Sequence, residues 1–252
     1  MSASVEAAAP SLNLPINIAE APVEFSGSMG LFIDAAIAFG VDLEDQERED
    51  WLMMGRAVHI IDQYVDEEKA DIMPYVSAIL AGTEILGISQ DFQDRCREYM
   101  QRQSENRQTE IIKKLGQVST LVEQQETAET IRELMEVRQA EADLMANLLA
   151  LSSDGRPDET QRSTFNTWLV EVSRTGYLID SFRDLGEDYD SGKIIIKPNL
   201  GVKAAVGTAA LKQTIYTVAK TPPKVISKAI KVGIKNQILR KKPDLADPNQ
   251  LI

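Results

Sequence analysis

Two runs of carboxylates are the residues whose type and spacing could do chemistry. Asp62 and Asp66 stand four apart in the stretch from His59 to Asp71, and Asp180, Asp184 and Asp188 repeat that spacing in a second stretch that starts 118 residues after Asp62. On a helix, residues four apart share one face. The first pair alone carries little weight, because a chain with 39 acids in 252 residues holds several such pairs by chance, and most are solvated surface. The second run is harder to dismiss. Each like-charged i,i+4 neighbour costs a helix about 0.2–0.5 kcal/mol, and acids near a helix C-terminus also oppose the macrodipole. Three stacked aspartates at such an end suggest a bound cation; the alternative is a frayed, solvated end with Arg183 offsetting part of the charge.

Mg²⁺ suits these ligands, since it takes hard oxygen donors and commonly binds through one or two carboxylates plus substrate phosphates. Several such ions between two facing acidic helices could clamp a diphosphate and stabilise it as a leaving group when an allylic C–O bond ionises. Arg183 and Lys193 could pair with the released diphosphate, and His59, one turn before Asp62, could touch it. Ordinary surface cations and a half-buried histidine bonded to a neighbour are equal alternatives. Cys96 reads as an inert helix residue rather than a nucleophile.

Positioning two such runs takes long helices, and the apolar spacing supplies them. Leu31, Ala35 and Phe39 mark a first helix that stops at Gly40, and Trp51, Met54, Val58 and Ile61 mark a second from Asp45 to about Asp66. Further helices are predicted over Ile72 to Leu86, started or kinked at Pro74, over Gln90 to about Glu123, and over Glu126 to Leu151. After a turn-rich break at residues 152–157, Asp158 or Thr160 can cap a helix to about Leu185. Residues 191–201 read as irregular, and two last helices span about Val202 to Val218 and Pro222 to Leu239. Neither an internal repeat nor a strand pair is expected. The fold class is all-α: a mobile arm over residues 1–24 that carries no chemistry, one helical domain over 25–240 that includes the basic helices 202–240, and a tail over 241–252.

Composition narrows the function. The single Cys96 cannot form an internal disulfide, residues 1–24 lack the order of a secretory signal, and no apolar run approaches the roughly 20 residues that span a bilayer, so a cytoplasmic location is expected. One histidine excludes sites built from several imidazoles. The net charge of −12 hides an asymmetry: Ser191 to Pro243 holds twelve Lys/Arg and no acid, leaving 15 cations against 39 acids, or −24, elsewhere. An acidic body argues against a nucleic-acid partner, while the basic end could meet phosphates. In the last helix Ile226, Ile230, Ile234 and Ile238 form a stripe opposite Lys224, Lys228, Lys231 and Lys235. Either the isoleucines dock on the bundle with the lysines in water, or the helix touches a membrane peripherally and guides a lipidic substrate.

From Leu178 to Ile194 (Leu-Ile-Asp-Ser-Phe-Arg-Asp-Leu-Gly-Glu-Asp-Tyr-Asp-Ser-Gly-Lys-Ile) the chain resembles the squalene/phytoene synthase family, which has a related Asn-x-x-Arg-Asp-x-Gly-Glu-Asp segment before an Arg-Ile-Tyr-like stretch. Asp62-Gln-Tyr-Val-Asp66 is similar to that family's first aspartate motif, and the resemblance covers about residues 27–235, with close matches in these two segments. It implies the isoprenoid synthase bundle around a central apolar cavity. It also implies several Mg²⁺ ions held by Asp62 and Asp66 on one wall and by Asp180, Asp184 and Asp188 on the other, with Arg183 on the diphosphate. The chain departs from the family at Asp180, which stands for Asn, at Gln63, which stands for a second Asp, and at His59, where an arginine is expected. The Ala-Gly-x-Val-Gly core is replaced by Val137 to Ala142, and Ile195 stands for a tyrosine.

Head-to-head condensation needs room and cations for two diphosphates, whereas ionising one substrate needs only the metal clamp. The expected activity is therefore a class I terpene synthase that ionises a C15 or C20 prenyl diphosphate and cyclises the carbocation. The alternatives are a head-to-head prenyl synthase and a non-enzymatic helical scaffold. A carbocation needs a dry apolar cavity with aromatic faces. Tyr64, Phe32, Tyr177 and Phe165 are the candidates to line it, with Phe39, Trp168 and Phe182 behind them, and plain core packing is the competing role for each.

Overall fold

The computed structural model of the protein describes residues 12–13, 23–68, 72–151, 159–229 and 231; for residues 12–13, 23–28, 58–59, 61–68, 86, 119 and 151 the backbone is described without the side chain. Among the described residues the regular structure is helical apart from one short strand pair. Helix α1 (Val23–Ala38) reverses at Gly40 into α2 (Asp45–Glu68), close to the expected bounds.

The next stretch departs from the sequence reading. Helix α3 (Met73–Ala81) does not run on to Leu86, because Gly82 turns left-handed (φ 79°) and Thr83 N–H closes back on the Ala78 carbonyl. Ile85–Leu86 then forms a strand, β2, paired in parallel with β1 (Leu12–Asn13), so residues read as an arm contribute to the fold. The buried side chain of Gln93 holds this segment: it accepts from Ile85 N–H (3.0 Å) and donates to the carbonyls of Ile85 and Ile88 (2.9 Å each).

The helix expected from Gln90 to Glu123 is two helices, α4 (Gln90–Arg102) and α5 (Glu105–Thr127), broken at Gln103 and Ser104. Gln108 bridges the break by donating to the carbonyls of Met100 and Gln103 at 3.0 and 3.1 Å. Glu126 belongs to α5, and α6 (Ile131–Leu151) opens with a capping box in which Thr130 Oγ accepts from Glu133 N–H while the Glu133 carboxylate accepts from Thr130 N–H. Helix α7 (Glu159–Asp190) runs straight through Gly186. Helix α8 (Leu200–Lys220) starts where Asn199 accepts from Val202 N–H, and residues 223–229 form a last described helical stretch.

Helix α7 is the spine, with α6 and α8 packed along it and α1 and α2 closing over its first half. There Phe165 stacks on Trp51 at 5.4 Å and meets Phe39 and Trp168 at 6.0 and 5.7 Å, with Phe32 edge-on to Trp168. Beside this cluster, buried Arg162 of α7 forms a bidentate pair with buried Glu47 of α2 and donates to the Asp42 carbonyl. Glu47 meets Arg162 and Trp51 meets Phe165, so α2 and α7 pass the cluster in the same sense.

Candidate functional site

The second acidic run occupies the last three turns of α7. Asp180 is exposed, Asp184 half-buried and Asp188 buried. Arg183 lies between the first two: its guanidinium forks onto Asp184 with two bonds of 2.8 Å and reaches Asp180 at 3.0 Å. Asp188 is held from another helix, by Arg138 of α6 at 2.8 Å. The helix ends just beyond it. Gly192 is left-handed (φ 75°), which only glycine adopts cheaply, so Gly192 N–H bonds the Tyr189 carbonyl and Lys193 N–H bonds the Asp188 carbonyl at 2.8 Å. Lys193 is half-buried next to the third aspartate.

The like-charge stacking expected from the sequence is thus offset by two arginines, one local and one distant. Among the described residues, no three His, Cys, Asp or Glu side chains are grouped to hold a metal ion. The first acidic run lies on the backbone of α2, but the side chains of His59, Asp62, Tyr64 and Asp66 fall outside the described residues. Its height along the helix is described. Asp66 is fifteen residues beyond Trp51 and Asp180 fifteen beyond Phe165. At 1.5 Å per residue both backbones stand about 22 Å from the stacked pair that α2 and α7 share.

An apolar cavity of about 120 Å³ lies among α2, α3, α4 and α5. Met53, Met54, Ala57 and Ile60 of α2 form one side, and Tyr75, Phe92, Cys96 and Tyr99 face it. Among the described residues, its lining on α2 reaches Ile60, two residues before Asp62. Its size is close to that of a benzene-holding protein cavity of about 150 Å³, so as it stands it takes a group the size of one isoprene unit.

Of the aromatic residues expected to line a cavity, Phe32, Tyr177 and Phe165, with Phe39, Trp168 and Phe182 behind them, are not on this one, and the Tyr64 side chain falls outside the described residues. Phe165 is 1% exposed and packs with Phe39, Trp51 and Trp168, Phe32 joins the same cluster, and Tyr177 packs half-buried against the core. Phe182 is exposed and lies against Gly207 of α8. The physical reason is that rings spaced three and four apart on neighbouring helices gain more from one another than from an open space. The aromatic faces on the cavity are Tyr75, Phe92 and Tyr99 instead.

Burial pushes the Cys96 thiol up to about 12, with Arg56 pulling weakly the other way, so Cys96 is a protonated lining group. Two arginines escaped the sequence reading. Arg138 lies on α6, and a cation between inward-facing Leu134 and Ala142 was the available signal. Arg56 places its guanidinium 5.0 Å over the Phe92 ring, and its Nε is buried without a hydrogen-bond partner. It stands one turn before His59, where the chain lacks the expected arginine.

No protein-family model, curated protein or solved structure matches the chain.

Proposed function

We propose that this protein is a Mg²⁺-dependent class I terpene synthase that ionises a C15 or C20 allylic prenyl diphosphate, cyclises the carbocation and releases diphosphate. The observation that carries this reading is the matched height of the two acidic runs on helices that leave one aromatic cluster in the same direction, with the apolar cavity opening on α2 directly before the first run. Asp180 and Asp184 offer hard oxygens at accessible positions, so their chemistry fits Mg²⁺, while Asp188 is the least available because Arg138 holds it.

In this reading Asp62, Asp66, Asp180 and Asp184 hold the metal, with Asp188 behind them. Bound Mg²⁺ would supply Lewis-acid charge to the diphosphate. Arg183, about half exposed, would turn from the carboxylates to the diphosphate, and Arg56, His59 and Lys193 would add cations around it. Met53, Met54, Ile60 and Phe92 would exclude water from the hydrocarbon.

A non-enzymatic helical scaffold is the second reading, favoured by the present cavity size and by the arginines already paired with the second run. Incubation with C10, C15 and C20 diphosphates and Mg²⁺ tests both. Diphosphate release with a hydrocarbon or alcohol of unchanged carbon number is expected. A product of doubled carbon number would replace cyclisation by head-to-head condensation, and no diphosphate release from any substrate would leave the scaffold.

A further inference from the structure

Helix α8 is apolar on two opposite faces. Val206, Ala210 and Thr217 are buried toward α7, as in any helix packed on a bundle. Ile215 lies nine residues beyond Val206, two and a half turns, and so points directly away from the core. It is 62% exposed, and the same outward stripe carries Leu200 (85%), Leu211 (61%) and Val218 (46%). Ile195, just before the helix, is also exposed. A surface helix normally turns charged side chains outward at these positions, and one that is apolar all round has a second surface to bury.

The charges select that surface. Lys203 and Lys212 are exposed on opposite shoulders of the stripe, and no acid occurs anywhere in the helix or from Ser191 to Pro243. A second copy docked through α8 would present the same acid-free surface and so offer these lysines no carboxylate from that helix. The chain's own residues 232–252 hold Lys235, Arg240, Lys241 and Lys242 against Asp244 and Asp247, so they match the basic shoulders poorly. An apolar stripe flanked by lysines fits the plane where acyl chains meet anionic headgroups.

We infer that the outward face of α8 is a docking surface for an anionic lipid bilayer, with the helix lying in the interface. Among the described residues no helix is long and apolar enough to cross a membrane, which suits a helix that lies on one. The helical stretch after α8, for which docking on the bundle and membrane contact were both open, packs on the bundle where it is described: Val225 is buried in the core, and exposed Lys228 pairs with Asp34 of α1. The inference is independent of the proposed reaction, because it needs neither substrate nor metal.

Co-sedimentation of the full chain with phosphatidylcholine vesicles, with and without phosphatidylglycerol, tests it. The wild type should pellet with the anionic vesicles at low salt, release at high salt and stay in the supernatant with neutral vesicles. Leu211→Glu with Ile215→Glu should weaken binding at least ~tenfold without changing the thermal melt, since both side chains are exposed, and Lys203→Gln with Lys212→Gln should erase the preference for anionic lipid. No pelleting at low salt, or pelleting that the two glutamates leave intact, overturns the inference. So does a wild-type dimer that the same glutamates split into monomers, which would show a second copy on the stripe.

Discussion

The two ends of α7 use the same chemical pair for opposite purposes. At the first end Arg162 and Glu47 are 5% and 2% exposed at their side chains, hold each other through two bonds and sit beside the aromatic cluster. At the last end Arg183 and Asp184 form an equally forked pair, but 48% and 36% exposed, and from adjacent residues. A buried pair is fixed by the cost of leaving either charge alone, whereas an exposed one exchanges partners with water and solutes at little cost. Rigidity belongs to the end where α2 and α7 join, and exchangeable charge to the end where both helices carry acids.

The largest effect that could break this contrast is at the buried pair. Glu47→Gln should destabilise the protein by about 3–5 kcal/mol in urea unfolding, because it removes the negative partner of a buried ion pair. Replacing both partners with leucine and methionine should recover most of that loss, and a single variant as stable as the wild type would remove the distinction. At the exposed end Asp184→Asn should leave stability within about 1 kcal/mol. If the proposed chemistry holds, the same change should lower Mg²⁺-dependent diphosphate release by about a hundredfold or more.

Arg138 and Asp188, 18% and 12% exposed, lie between the two extremes. Arg138→Gln should cost about 1–3 kcal/mol in the same unfolding measurement, and a cost near zero would class the pair with the surface. The smallest effect is expected inside the cavity. Cys96 is raised from 9.0 to about 12 and Tyr99 from 10.0 to about 12, both chiefly by burial, so the folded state binds their protons more tightly than the unfolded state does. Their contribution is complete below pH 9 and is lost as pH rises from 9 toward 12. Cys96→Ala should make the decline in stability above pH 9 shallower, and native Cys96 should resist thiol reagents at pH 8 until the protein is unfolded.

The existence of most helices and the stacking of Asp180, Asp184 and Asp188 were legible because helical period is a local property of residue type. The breaks were less so. Residues 103–104 contain neither glycine nor proline, and the interruption stands because Gln108 takes up the freed carbonyls. Gly82 was visible, but that it would end α3 and release Ile85–Leu86 to pair with Leu12–Asn13 depended on Gln93 reaching back to that segment.

By itself the sequence determined a predominantly helical chain, two acidic runs at helical spacing and an acid-free basic stretch from Ser191 to Pro243, since each is written in residues within a few turns of one another. Only the tertiary structure decided that Asp188 is neutralised by Arg138 fifty residues away, that the aromatic rings fill a core while the cavity opens among α2 to α5, and that the unburied apolar face lies on α8. Those outcomes depend on which helix packs against which and at what angle, and one-dimensional spacing does not specify that angle.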